Sequence, residues 1–211
     1  MEESLYFYIE NEIIPRYDAF DGAHQREHAR YVIEQGQYLS QFYPVDKDIV
    51  YVACACHDLG LCEDRATHHL VSGRIIREEL PLLRWFSLGE IEIIAQAAED
   101  HRASNTGEPR SIYGKIVAEA DRQIIPETVI RRCVLYGFKN CPGLGMEEYW
   151  KRTLEHLKEK YAEGGYLKLW IKESPNALRL EELRSIISDE RRLRAVFEGI
   201  YNDILRSGGN R

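Results

Sequence analysis

The sequence predicts an all-α protein, on three observations. Apolar residues recur at spacings of three and four through most of the chain. Those periodic runs open on capping residues and close on Gly or Pro. No stretch sustains the alternation of a half-buried strand, and there are no internal repeats or low-complexity segments.

Size and composition narrow the class. At 211 residues, with 44% hydrophobic and 30% charged residues, the chain is long enough for a substantial core and ordinary for a globular protein. A net charge of −7 argues against a broad nucleic-acid surface and favours a small ligand held by local positive charge. No run approaches the apolar length of a membrane span, and MEESLYFYIENEII is acidic with no basic leader region, so a cytoplasmic protein without a membrane partner is expected. The five cysteines have no framework spacing and are expected to be free thiols. Cys54, Cys56 and Cys62 lack the ligand spacing of a closed zinc site.

The elements follow in order. Ser4 to Ile14 is amphipathic, with Leu5, Ile9 and Ile13 against Glu10 and Glu12, and Pro15 should end it. Asp18 to Ala23 reads as a turn. A helix from about Ala23 to Phe42 sets His24, His28, Val32 and Leu39 near one face. Asp46 can cap the next helix, whose Ile49, Val52, Ala53 and Cys56 share an apolar face. Its end, VACACHDLGL, carries His57 and Asp58 side by side, and Gly60 is expected to close it in a left-handed conformation. An ionised Asp in so apolar a place needs a cation. Taken alone, an Asp hydrogen-bonded to a core His would be the commoner case.

Cys62 to Ala66 is a polar loop able to lie over such a site. Thr67 is the expected N-cap of a helix from His68 to Leu80 that Pro81 stops. His68 and His69 fall in its first turn, where the helix dipole favours neutral imidazole, the metal-binding form. Ser87 and Glu90 form a capping box, and Ile91, Ile94, Ala98 and His101 make the buried stripe that follows. HRASNTGEPRS is a polar loop of the kind that carries substrate contacts. Ser111 can cap a helix through Ile116 and Val117 to Asp121, another carboxylate on an apolar helix. Downstream, 128–136, 146–162 and 179–206 have helical patterns, the last broken near Ser188-Asp189. Tyr149, Trp150, Tyr166 and Trp170 read as core aromatics, and His156 as solvated.

Six of the seven histidines lie between His24 and His101, where an even spread would place roughly 2.6. Clustered His with Asp nearby is the raw material of a metal site. With His28 in HQREHARYV, His57-Asp58 in CHDLG and Asp121 in KIVAEADR, the sequence resembles the HD-domain metal-dependent phosphohydrolases. His69, four residues before Gly73, and His101 match the two further His of the branch that binds two metals. The resemblance spans roughly Gly22 to Arg122.

The resemblance implies a helical bundle core over 18–125, with a helical extension over 126–211 packed on it in a single all-α domain. It implies one metal on His28, His57, Asp58 and Asp121, and a second on His69 and His101 with Asp58 bridging. A mixed nitrogen and oxygen set suits a divalent transition metal, one or two ions of Fe, Mn, Zn, Co or Ni, over Ca. Asp58 and Arg102 are the candidate catalytic residues. Arg102, Arg110, Lys115, Arg122 and His24 are candidates for binding a small phosphorylated substrate such as a nucleotide. No Gly-rich phosphate loop and no Ser or Cys nucleophile motif is present. The expected function is therefore a metal-dependent phosphohydrolase using a metal-activated water. Alternatives are a di-iron oxygenase of the same scaffold and an idle nucleotide-binding sensor.

Overall fold

The computed structural model describes residues 2–20, 25–105 and 107–207. His24 lies outside them. Ten α-helices and no strand occur among the described residues: α1 Glu3–Tyr8, α2 Arg26–Leu39, α3 Lys47–Cys56, α4 His68–Glu78, α5 Leu88–Asp100, α6 Ile112–Asp121, α7 Pro126–Asn140, α8 Met146–Tyr161, α9 Asn176–Ser188 and α10 Glu190–Arg206. None is long and apolar enough to cross a membrane.

The chain divides into two compact units. The first is 1–122 with 169–174, and the second is 123–168 with 175–211. In the first unit α3 is the central helix, in contact with α2, α5 and α6. Its sequence explains the position: every residue from Ile49 to Cys56 is buried, so it is apolar all round and needs neighbours on each side. Burying each Val or Ile there contributes about 1.5–3 kcal/mol. The segment Leu169–Ser174 belongs to this unit because Ile171 is buried in its core and the Trp170 N–H donates to Glu119 Oε2 at 2.8 Å. The second unit packs α7, α8, α9 and α10 together around Tyr149, Leu157, Leu183, Leu193 and Phe197.

Several expected boundaries hold. Asp46 accepts from the N–H groups of Asp48 and Ile49, Ser87 and Glu90 form the capping box, and Ser111 accepts from Gly114 N. The break at Ser188-Asp189 separates α9 from α10, and Asp189 caps the latter through Arg192 N.

Others are corrected. Pro15 does not stop the first helix. The chain continues as a π-helical turn over Ile9–Ile13 and a 3₁₀ helix over Ile14–Ala19, where proline lies in the first turn and no N–H is missed. Thr67 stands at the cap position without capping, since its hydroxyl donates to Asp64 Oδ2 instead. Tyr166 is 40% exposed rather than core, and His156 is half-buried, with burial lowering its pKa.

Gly60 is corrected in its reason. The only positive-φ glycines among the described residues are Gly143 and Gly164, so Gly60 does not close α3 in a left-handed conformation. It lies in a 3₁₀ turn, Leu59–Cys62, pressed against the start of α4. A Cβ there would meet the His68 carbonyl oxygen at 2.0 Å and Ser72 N at 2.7 Å, while Gly60 N donates to Ser72 Oγ at 2.9 Å. Backbone on both sides leaves no flexible group to yield.

Gly60→Ala is therefore expected to destabilise the protein by about 3 kcal/mol, because overpacking against backbone cannot relax. Gly89→Ala, in α5 with only Ser87 Oγ at 4.0 Å, should be neutral or slightly stabilising. Paired denaturant titrations check this, and equal midpoints for the two variants would refute the packing argument.

Candidate metal centre

The site is assembled from five places in the first unit. α2 supplies His28, the end of α3 supplies His57 and Asp58, α4 begins with His68, His101 follows α5, and Asp121 ends α6. His57 and His101 both stand as the C-cap of their helix. Each points its Nδ1 at the carbonyl three residues back: His57 at Cys54 O (2.8 Å) and His101 at Ala98 O (2.5 Å). His68 does the same to Arg65 O at 2.8 Å, from the loop before α4. A carbonyl can only accept, so Nδ1 carries a proton in all three rings, and Nε2 carries a lone pair whenever the ring is neutral.

Those lone pairs converge on Asp58. Its Oδ2 lies 3.2 Å from His57 Nε2 and 3.7 Å from His28 Nε2. Its Oδ1 lies 3.3 Å from His68 Nε2 and 3.4 Å from His101 Nε2. His28 and His57 approach at 3.3 Å, His68 and His101 at 3.1 Å, all through Nε2. Asp121 Oδ1 completes the first group at 3.1 Å from His28 and 3.8 Å from His57. One carboxylate thus faces two sets of donors, His28, His57 and Asp58 on one side and Asp58, His68 and His101 on the other.

Two lone pairs 3.1 Å apart beside a carboxylate oxygen repel unless something positive lies between them. With metal–ligand bonds of about 2.1 Å, donors sharing one ion stand about 3.0–3.4 Å apart. Most of the spacings here fall in that interval. The residues present therefore fit one or two divalent ions.

The electrostatics agree. Burial opposes ionisation of Asp58, yet His57 and His101 hold it well below the usual carboxylate range. Asp121 is half-buried, and although desolvation opposes its charge, His28 and His57 depress it in the same way. Burial works against protonating His57, but Asp58 and Asp121 carry its pKa up to about 9, and a cation in the same field would compete with that proton. Burial and His101 lower His68 to about 4, leaving it the neutral ring a ligand must be.

The expected residues fare differently. His28, His57, Asp58, His101 and Asp121 come together. His69 does not join them; its neighbour His68 faces Asp58 instead, and His69 is buried with Nδ1 unpartnered. The reason is local: only the His68 Nδ1 reaches back to Arg65 O, which turns its ring inward. Arg110 is committed to Glu99, Asp100 and the Gln96 carbonyl, Lys115 pairs with Glu108 at 2.5 Å, and Arg122 is buried with its guanidinium on Ala118 O. Arg102 donates to the Ala66 carbonyl. Cys54 and Cys56 are buried free thiols, and burial pushes Cys56 to about 12 and Cys54 higher still, far from thiolate ligands.

Tyr17 was not foreseen. Its buried hydroxyl donates to Ala55 O at 2.8 Å and accepts from Asp58 N at 3.3 Å, fixing the peptide that carries the His-Asp pair. No spacing rule links a tyrosine in the 3₁₀ helix to a helix end 41 residues later.

Known proteins resemble this chain as follows. The search of curated proteins found no match. A crystal structure described as a predicted HD superfamily hydrolase, from an uncultured Thermotogales bacterium, superposes with a TM-score of 0.50 at 22% identity. The match covers 71% of this chain and 83% of that one, and at this identity it speaks to the fold. Residues 26–123 match the HD domain family, a span that begins just before His28 and ends just after Asp121. With that match and this geometry, residues 26–123 are similar to the HD domain family.

Proposed function

We propose that this protein is a metal-dependent hydrolase of small phosphate esters, nucleotides among them. The observation that carries the reading is the pair of donor groups sharing Asp58, with three Nε2 atoms turned inward by carbonyls at i−3. His28, His57, Asp58 and Asp121 would hold one ion, and Asp58, His68 and His101 the second. A divalent cation bound there supplies Lewis acidity, bringing the pKa of a bound water towards neutrality and polarising a phosphoryl group.

The chain's own residues supply orientation. Three histidine rings are oriented through Nδ1 before any ion arrives, so little reorientation is needed on binding. Tyr17 holds the Asp58 peptide, and Asp58 offers one oxygen to each side. Cys54 and Cys56, with raised pKa values, are poor nucleophiles, which leaves water as the attacking group. With Arg110 and Lys115 in ion pairs, a phosphate would be held chiefly by the ions.

The activity is tested with a panel of nucleotides and simple phosphate esters, with Mn²⁺, Co²⁺, Fe²⁺, Zn²⁺ and Ni²⁺ each supplied alone. Metal-stimulated phosphate release that persists without dioxygen is expected. The same six-residue chemistry suits a di-iron oxygenase, and turnover that requires iron and dioxygen would select that reading instead.

Asp58→Ala should remove metal from both sides at once, since each set of donors loses an oxygen. Elemental analysis of the purified variant is expected to find less than a tenth of the wild-type content. Unchanged stoichiometry would refute the role of Asp58.

His68→Ala and His69→Ala separate two neighbours. The first should lose one equivalent of metal and the second should keep the full complement, both measured after gel filtration in Mn²⁺. The reverse pattern would return the ligand role to His69.

A further inference from the structure

The three histidines whose Nδ1 bonds a carbonyl are not equally supported. His57 and His101 bond carbonyls inside or at the end of buried helices, Cys54 in α3 and Ala98 in α5. His68 bonds Arg65 O, in a loop where every residue from Cys62 to Thr67 is exposed. A loop carbonyl orients a ring only as firmly as the loop is held. Within the loop, Asp64 accepts from the backbone of Ala66 and Thr67 and from the Thr67 hydroxyl, a local turn that sets its shape but not its place.

From outside, Arg74 bonds Glu63 at the loop's start, and Arg102 holds the backbone beside His68. The guanidinium donates to Ala66 O, the carbonyl next in the chain to the one that orients His68. Arg102 directly follows His101 in the chain, so one short segment carries both a donor and the grip on the loop that aims the other.

We propose that Arg102 is a positioning residue for the second ion, acting through the Ala66 carbonyl and the 62–67 loop on the orientation of His68. This rests on the two-ion reading above. A single donated bond to a carbonyl is also something a lysine can make, whereas a bidentate grip on phosphate is not. Arg102→Lys therefore divides the two roles. Of the first ion's donors, His28, His57 and Asp121 are carried by α2, the end of α3 and α6, and only Asp58 touches His68, so the first ion should respond much less to the change.

The experiment uses the full chain as wild type, Arg102→Ala and Arg102→Lys. Mn²⁺ alone is titrated by calorimetry without substrate, and the His68 ring nitrogens are read by ¹⁵N NMR in the metal-free protein at mildly alkaline pH. Arg102→Ala is expected to keep the first equivalent, weaken the second about 10- to 100-fold, and lose the single His68 tautomer. Arg102→Lys should restore most of both. A locked His68 tautomer in Arg102→Ala, or an unchanged second affinity, overturns the proposal; a raised KM for a phosphate ester in both variants would then assign Arg102 to substrate. A wild type that binds one equivalent refutes the two-ion reading, and the NMR comparison still decides whether Arg102 positions His68.

Discussion

The structure depends on one unfavourable interaction held in place. Lone pairs of buried imidazoles and the oxygens of Asp58 and Asp121 point at one another across gaps of 3.1 to 3.8 Å. With neutral rings they would repel; a proton on His57 offsets part of that, and each polar group still carries the cost of lost water. Rigid neighbours keep them together: α3, buried on every side, and the carbonyls that pin three Nδ1 protons. A cation on either side of Asp58 would turn the same arrangement from a cost into a binding site. Stability and proposed function thus meet on one carboxylate.

The surrounding contacts follow from that demand. Gly60 lets the His-Asp turn press against α4, which brings His68 within 3.3 Å of Asp58. A Cβ at Gly73 would lie 2.4 Å from Glu99, so that glycine lets α4 lie close on α5, where His101 begins the next loop. Arg77 and Arg110 tie Glu99 and hold this seam from its exposed edge, where each ion pair contributes little singly and more as a network. The arginines that sequence reasoning offered to substrate thus include one that works as structure.

The second unit stands apart from this chemistry. It has its own core around Tyr149, Leu183 and Phe197, with Tyr149 stacked on Phe138 at 4.6 Å between ring centres. The boundary does not follow the chain simply, since 169–174 returns to the first unit through Ile171 and the Glu119 bond. A buried carboxylate accepting from a distant backbone N–H carries no periodic signal in the sequence.

The sequence by itself determined the helical class, most helix boundaries, the break before Asp189 and the ordered His, His-Asp, His and Asp that resemble an HD domain. Those follow from local physics: caps, 3.6-residue periodicity and residue chemistry act within a few positions. What only the tertiary structure decided was which of two adjacent histidines turns inward, why Gly60 is glycine, where the arginines spend their hydrogen bonds, and that Tyr17 holds the site. Each depends on contacts between segments far apart in the chain. His68 and His69 are equivalent to any pattern, and only the Arg65 carbonyl and the approach of Asp58 distinguish them.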